Sequence, residues 1–228
     1  MEFVSDLHMF KNIFCFRSRL CLAPPHRAIP MPFTAEHKQK TRQRIVECAR
    51  ELFNRRGFEE VSIDEIMQRA GLTRGGFYNH FKTKEDLFAE AISIYLNFDP
   101  SQRWEGIQFD HAACGSTMGR QLIEAYLSKA HLEDIEGHCP LIALPSDAAR
   151  AGPRVREAYS CLMERFTEML ASGMDDKHSS HARDRGLAIT ALCVGGMVLA
   201  RTIDNPAFAD EIRRAARTLA LELIGPAD

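Results

Sequence analysis

An all-helical fold is predicted by three observations. Apolar residues recur at spacings of three and four along nearly the whole chain, strand-like alternation is almost absent, and helix start and stop signals fall where the periodic stretches begin and end. With 228 residues the chain can build one sizeable core, or a small module beside a larger one. The expected architecture is an N-terminal three-helix unit of helix-turn-helix type over residues 34–98, followed by a C-terminal helical domain over 99–228.

Residues 1–33 carry no periodic face. "MFKNIFCF" is too short an apolar run for a signal peptide and is interrupted by Lys11 and Asn12, while "APPHRAIPMPF" is proline-rich. This segment is expected to be a disordered extension, with translation starting naturally at Met31. The first helix is predicted over residues 36–56, with Ile45, Cys48, Ala49, Leu52 and Phe53 on one face and Gly57 as its stop. "SIDEIMQRAG" reads as a short second helix, in which Ser62 and Glu65 form a capping box and Ile63, Ile66 and Met67 face inward. "LTRGGFYNHF" follows a tight turn with Thr73 as cap. "TKEDLFAEAISIYL" then opens on a second capping box, Thr83 with Asp86, and runs to about residue 98.

Residues 99–116 hold Pro100, Gly106 and Gly115 without clear periodicity, so an irregular connector is expected. Beyond it helices are predicted over 117–132, 140–150, 153–171, 180–203 and 206–224. Pro140, Pro153 and Pro206 sit where a first helical turn tolerates proline, whereas Pro145 should break or kink its helix. Phe208, Ile212, Ala215, Leu219 and Leu223 form an apolar stripe on the last helix. "LCVGGMVLA" (192–200) is apolar nearly all round and must be covered on all sides, by a dimer partner or by the chain's own core.

The net charge of −2 excludes polycation behaviour for the chain as a whole. Charge is unevenly distributed: between residues 34 and 84 eleven Lys and Arg face seven Asp and Glu, so any nucleic-acid attraction must come from this region. The seven cysteines are odd in number and scattered, without CxxC pairs or zinc-finger spacing, which suits a reducing cytoplasm. No membrane span, Ser-His-Asp triad, P-loop or paired-carboxylate motif is recognisable, so neither a membrane protein nor an enzyme is expected, and no cofactor is implied.

"GLTRGGFYNHFKTKEDLF" (71–88) poses the functional question, because it places two adjacent glycines in a short helix at a cost of about 1 kcal/mol each. Two short helices joined by "AGLT", the second polar outside, form a helix-turn-helix whose second helix enters the DNA major groove. Without Cβ atoms, Gly75 and Gly76 let the backbone lie close to base edges and phosphates. Arg74 can meet guanine O6 and N7 in bidentate fashion, while Thr73, Tyr78, His80 and Lys84 offer phosphate donors. The helix start at Thr83 and Lys84 adds an anion site. Phe77 and Phe81, with Leu72 and Leu87, should pack inward. On periodicity alone, "RGGFYNHFK" is also compatible with a glycine-containing loop on a helical protein of another kind.

The stretch beginning "HKQKTRQRIVECARELFNRRGFEEVSIDEIMQRAGLTRGGFYNHFKTKEDLFAEAI" resembles the DNA-binding region of TetR-family transcriptional regulators. It matches in order the "A..LF...G" helix, the "S/T...IA..AG" helix and the "G..Y.HF..K..L" recognition segment. Met67 stands where the family usually has alanine. The resemblance implies phosphate contacts at Ser62, Tyr78, His80 and Lys84 and base-region contacts at Thr73, Arg74, Gly75 and Gly76. It also implies a helical second domain that binds a small molecule and forms a homodimer through its last two helices. The expected function is that of a repressor released from a palindromic double-stranded DNA operator by a small-molecule effector. The alternatives are a cysteine-based redox or electrophile sensor, and an architectural DNA binder without inducer.

In the second domain, Tyr126, Leu144, Tyr159, Met163, Phe166 and Met169 are candidates for a ligand pocket. His131, His138 and Cys139 match no metal-site spacing, and no metal is expected. Cys139 is the sensor candidate. It precedes Pro140 at an expected helix N-cap, where the dipole and free N–H groups favour a thiolate, while Glu133, Asp134 and Glu136 oppose that effect.

Overall fold

The structure, a computed structural model, describes residues 35–174 and 180–226. The expected extension over 1–33 lies outside the described residues. Among those described, every regular element is helical.

Helix α1 (Ala35–Glu60) buries Ile45, Val46, Ala49 and Phe53, and its helical path is interrupted at Gly57 (φ 79°, ψ 173°), the predicted stop. A left-handed φ of this kind favours glycine. Helix α2 (Ile63–Arg69) starts on the predicted capping box: the Ser62 hydroxyl accepts from Glu65 N, and the Glu65 carboxylate accepts from Ser62 N at 2.9 Å. The segment Arg74–Asn79 is a six-residue 3₁₀ helix that directs Phe77 inward. Helix α3 (Lys84–Ser93) opens on the second predicted capping box, Thr83 with Asp86. These elements share one core in which Phe53, Phe58 and Phe88 meet, with centroids 5.0 Å apart for Phe53–Phe88 and 4.7 Å for Phe58–Phe88. Met67 is fully buried there.

The α3 helix ends at Ser93 and tightens into a 3₁₀ turn, Ile94–Asn97, sooner than the expected limit near 98. The stretch expected to be an irregular connector contains α4 (Pro100–Arg103), capped by Asp99, whose carboxylate accepts from Ser101 N at 2.9 Å. The helix expected over 117–132 is two: α5 (Gly115–Tyr126) and α6 (Lys129–Glu133). Ser128 explains the break, since its hydroxyl accepts from His131 N and caps a new helix instead of continuing the old one. The predicted break at Pro145 is present, separating α7 (Pro140–Ala143) from α8 (Pro145–Arg150).

Helices α9 (Pro153–Ser172), α10 (Ser180–Thr202) and α11 (Pro206–Ile224) complete the bundle. By length and composition α10 is the one helix among the described residues that is apolar enough to cross a membrane; it packs against α9 and α11. Its Ile189, Cys193, Met197 and Ala200 are buried, but Leu187 and Leu199 are exposed. Of the expected stripe on α11, only Leu223 packs against the chain's own core. Ala209, Ala216, Ala220 and Ile224 are buried instead, and Phe208 (50 % exposed) and Leu219 point outward. Small residues win the inner face because α10 and α11 lie close: a Cβ on Gly196 would stand 2.6 Å from the Ala216 Cβ.

The N-terminal helices pack onto this bundle, α3 against α9 and α1 against the 135–137 turn and α7. A polar clasp joins them at residues 136–138. The Arg50 guanidinium donates to Glu136 O at 2.8 Å, and the Asn54 amide donates to Glu136 O at 3.1 Å and His138 O at 2.7 Å. Arg201 of α10 donates to Asn54 O at 3.1 Å, and Arg55 and Arg69 pair with the Glu136 carboxylate.

Candidate nucleic-acid interface and cavity

The first site is the outer surface of the α2–turn–3₁₀ unit. Gly71 (φ 65°) makes the turn, and Thr73 caps the next segment through its backbone alone, leaving its hydroxyl out of the cap. Arg74, Gly75 and Tyr78 are exposed, Tyr78 by 60 %. Inside the chain nothing demands glycine at 75 or 76. A Cβ on Gly75 would meet nothing within 4 Å, and one on Gly76 would make ordinary contact with the Met67 methyl at 3.5 Å. Neither φ is left-handed. Both residues therefore weaken the helix without serving the chain's own packing.

The other predicted contacts are placed less simply. The Arg74 guanidinium pairs with the Asp64 carboxylate at 2.8 Å, both side chains more than half exposed. The Ser62 hydroxyl is engaged with Glu65, whose carboxyl is held down at about 2 by the Ser62 backbone N–H and then by Arg56. Lys84 is half-buried with its ammonium 4.2 Å from the centre of the Phe58 ring, and burial lowers its pKa. His80 is lowered by burial and then by Lys38 and Arg42, so it acts as a neutral ring; its Nδ1 is buried without a partner. Its carbonyl accepts from Arg42, which also pairs with Glu90 and lies 4.0 Å over the Phe81 ring. Arg42 thus locks the end of the recognition segment onto α1 and α3.

The second site is an apolar cavity of about 270 Å³ in the C-terminal part. Of the predicted lining residues Tyr126, Phe166 and Met169 are there, joined by the sensor candidate Cys139; Tyr159, Met163 and Leu144 are not. Tyr159 instead donates its hydroxyl to Leu141 O at 3.0 Å, and Leu144 is core. Sequence reasoning missed Tyr95, Phe98, Trp104, Phe109 and Met118, which come from the stretch around the supposed connector. The available signal was a run of aromatics in a segment without helical period, "YLNFDPSQRWEGIQF".

Cys139 occupies the predicted N-cap, and burial outweighs both effects weighed from the sequence, the helix end that favours a thiolate and the acids that oppose it. The side chain is 2 % exposed, makes no cap bond, and burial pushes the thiol up to about 12. A four-residue helix has too little dipole to offset that desolvation. His138 cannot help, because it is buried, lowered in pKa, and donates Nε2–H to Leu132 O. His131 is likewise neutral. Its Nδ1 bonds Tyr126 O at 2.7 Å while Nε2 accepts from Cys139 N at 3.1 Å, which fixes the tautomer and leaves no lone pair for a metal. Burial lowers this ring to about 3.

The profile of the family described as bacterial regulatory proteins, tetR family, matches residues 45–91. The chain is 26 % identical over 146 residues to the uncharacterized HTH-type transcriptional regulator YfiR of Bacillus subtilis, covering 62 % of this chain and 69 % of that protein. It is 47 % identical over 61 residues to the HTH-type transcriptional regulator AcrR of Shigella flexneri, a match that spans 27 % of this chain and only 28 % of AcrR. The structure of E. coli NemR in its reduced form superposes with a TM-score of 0.62 at 16 % identity, over 79 % of this chain and 95 % of that one. The matched residues 45–91 run from α1 into α3 and include the exposed glycine-bearing segment. Residues 45–91 thus carry a DNA-binding region of the tetR family type, similar to that of HTH-type transcriptional regulators.

Proposed function

We propose that this regulator is a cytoplasmic, homodimeric repressor. Residues 34–98 form its DNA-binding domain and 99–228 its ligand-binding and dimerisation domain, and it leaves a palindromic operator when a small molecule fills the aromatic cavity. DNA contact falls to Thr73, Arg74, Tyr78 and Lys84, with Gly75 and Gly76 permitting approach. Ser62 and His80 serve mainly to position the segment, since their side chains are engaged or half-buried. The exposed faces of α10 and α11, carrying Leu187, Leu199, Phe208 and Leu219, fit a second copy of the chain, because apolar side chains of this size on adjacent helices are otherwise left in water.

The observation that carries the effector reading is the segment 134–139, which touches both sites. At one end Cys139 lines the cavity, and Asp134 accepts from the indole of Trp104, another lining residue, at 3.0 Å. At the other end Glu136 and His138 receive Arg50, Asn54 and Arg69 of α1 and α2. Any ligand that shifts this segment shifts the recognition surface, and differential affinity for the two arrangements is all that induction requires.

The test is selection of bound sequences from a randomised duplex pool, followed by a screen of small molecules for release of the selected DNA. A palindromic consensus and at least one releasing compound are expected. Sequence-independent binding, or a selected operator that no cavity-binding compound releases, would overturn the reading.

A further inference from the structure

The cavity itself restricts what can fill it. Tyr126, which is 6 % exposed, lines it, and its buried hydroxyl has no hydrogen-bond partner. The Cys139 thiol is close enough to interact with it, but a thiol is too weak a hydrogen-bonding group to satisfy it. An unpaired buried hydroxyl costs free energy that an incoming acceptor oxygen would recover. Among the described lining residues there is no carboxylate, whereas Arg165 and His111 are present. His111 is paired with Asp99 at 3.1 Å, while among the described residues Arg165 pairs with Glu168 at the longer distance of 3.8 Å.

The aromatic walls do not form an open cage for a cation. Tyr95 stacks on Phe98 (4.4 Å, 8°), Trp104 on the neutral His131 (4.3 Å, 28°) and Tyr126 on Phe166 (4.7 Å, 28°), so at least one face of each ring is covered by another ring. A desolvated cation with no carboxylate beside it would rely on the remaining faces, and cation–π contacts return only about 0.5–2 kcal/mol each against a desolvation cost of several. In size, an apolar cavity of about 150 Å³ holds a benzene molecule. A volume of about 270 Å³ therefore accommodates roughly ten to twelve non-hydrogen atoms.

Building on the effector reading above, we infer that the ligand of this cavity is a compact aromatic molecule, neutral or anionic, that presents one oxygen acceptor to the Tyr126 hydroxyl. Permanently cationic compounds of the same size are excluded. Arg165, at the exposed edge, favours a carboxylate over a neutral ligand of equal shape.

Trp104 is the only tryptophan in the chain, lines the cavity and is 4 % exposed, so its emission reports occupancy directly. The experiment titrates the full-length, DNA-free protein with 4-butylphenol, 4-propylbenzoate, butylbenzene and 4-ethyl-N,N,N-trimethylanilinium, each of ten to twelve non-hydrogen atoms, following Trp104 emission and calorimetric binding. Phenol and benzoate are expected to bind at least tenfold more tightly than butylbenzene and the cation. In Tyr126→Phe, which keeps the ring stacked on Phe166, the advantage of phenol over butylbenzene disappears while butylbenzene still binds. In Arg165→Gln, benzoate weakens severalfold and phenol does not. The inference fails if the cation binds as well as the phenol, if Tyr126→Phe preserves the discrimination, or if no probe perturbs Trp104. These readouts do not involve DNA. Binding without operator release would therefore sink the effector role and leave the ligand class standing, and release by some other compound with no probe bound would do the reverse.

Discussion

Gly75 in the recognition segment has open space where a Cβ would stand, whereas at Gly196 in α10 a Cβ would meet the Ala216 Cβ of α11 at 2.6 Å. The same residue type answers opposite demands in the two parts of the molecule. In the N-terminal part, glycine leaves the outer surface thin, as the proposed approach of DNA requires. In the bundle it lets two of the chain's own helices approach. The surrounding chemistry follows the same division. Around the recognition segment the polar groups are exposed and charged, as in Arg74 with Asp64, while the bundle holds neutral, buried ones such as His131. Substitutions in the first region should register in DNA binding, and those in the second in stability.

The largest expected effect is on stability and lies at His131. Burial lowers its pKa to about 3 from an ordinary 6.5, so as pH falls below 6.5 the unfolded chain takes up the proton and the folded one does not. The stabilisation is complete above about pH 6.5 and declines toward pH 3 by about 1.4 kcal/mol per pH unit. Urea unfolding at pH 5.5 and 4.5 should show a slope of stability against pH about one proton steeper than in His131→Asn. Equal slopes would mean that the ring is not buried neutral.

Gly196→Ala should cost about 1–3 kcal/mol by overpacking α10 against α11, partly restored by adding Ala216→Gly. Gly75→Ala should leave the melting temperature unchanged or slightly raised, yet weaken the selected operator tenfold or more. A loss of stability in Gly75→Ala comparable to that in Gly196→Ala would erase the contrast between the two regions.

Arg74→Ala should cost about 1–3 kcal/mol in operator binding and relax the sequence preference, with no change in melting temperature. Because Asp64 holds the guanidinium in the free protein, Asp64→Asn should strengthen binding to all sequences alike, measured on random duplex at fixed salt. Unchanged affinity in both variants would place Arg74 outside the interface.

Lys84→Ala gives the smallest effect. It should lower the salt dependence of binding by roughly one phosphate's worth for every sequence. A sequence-dependent loss instead would indicate that the residue reaches a base.

Local chemistry explains why the N-terminal part was so legible in the sequence. Ser62 with Glu65 and Thr83 with Asp86 satisfy helix ends within four residues, and Gly57 and Gly71 adopt positive φ wherever the chain must turn. Such signals act over a single turn and need no knowledge of distant neighbours, so helix starts, the turn and the outward-facing segment could all be read from residue order. Proline did the same for α7, α8, α9 and α11. Tertiary structure alone decided three things. It assigned the inner face of α11 to alanines rather than to the larger stripe of Phe208 and Leu219, because helix separation is set by both partners. It gathered Tyr95, Phe98 and Trp104 with Tyr126 and Phe166 into one cavity, because aromatics from segments far apart in sequence meet only when the bundle closes. And it decided the balance that the sequence left open at Cys139: the N-cap position is visible in the sequence, but the desolvation that pushes the thiol up to about 12 belongs to the atoms packed around it.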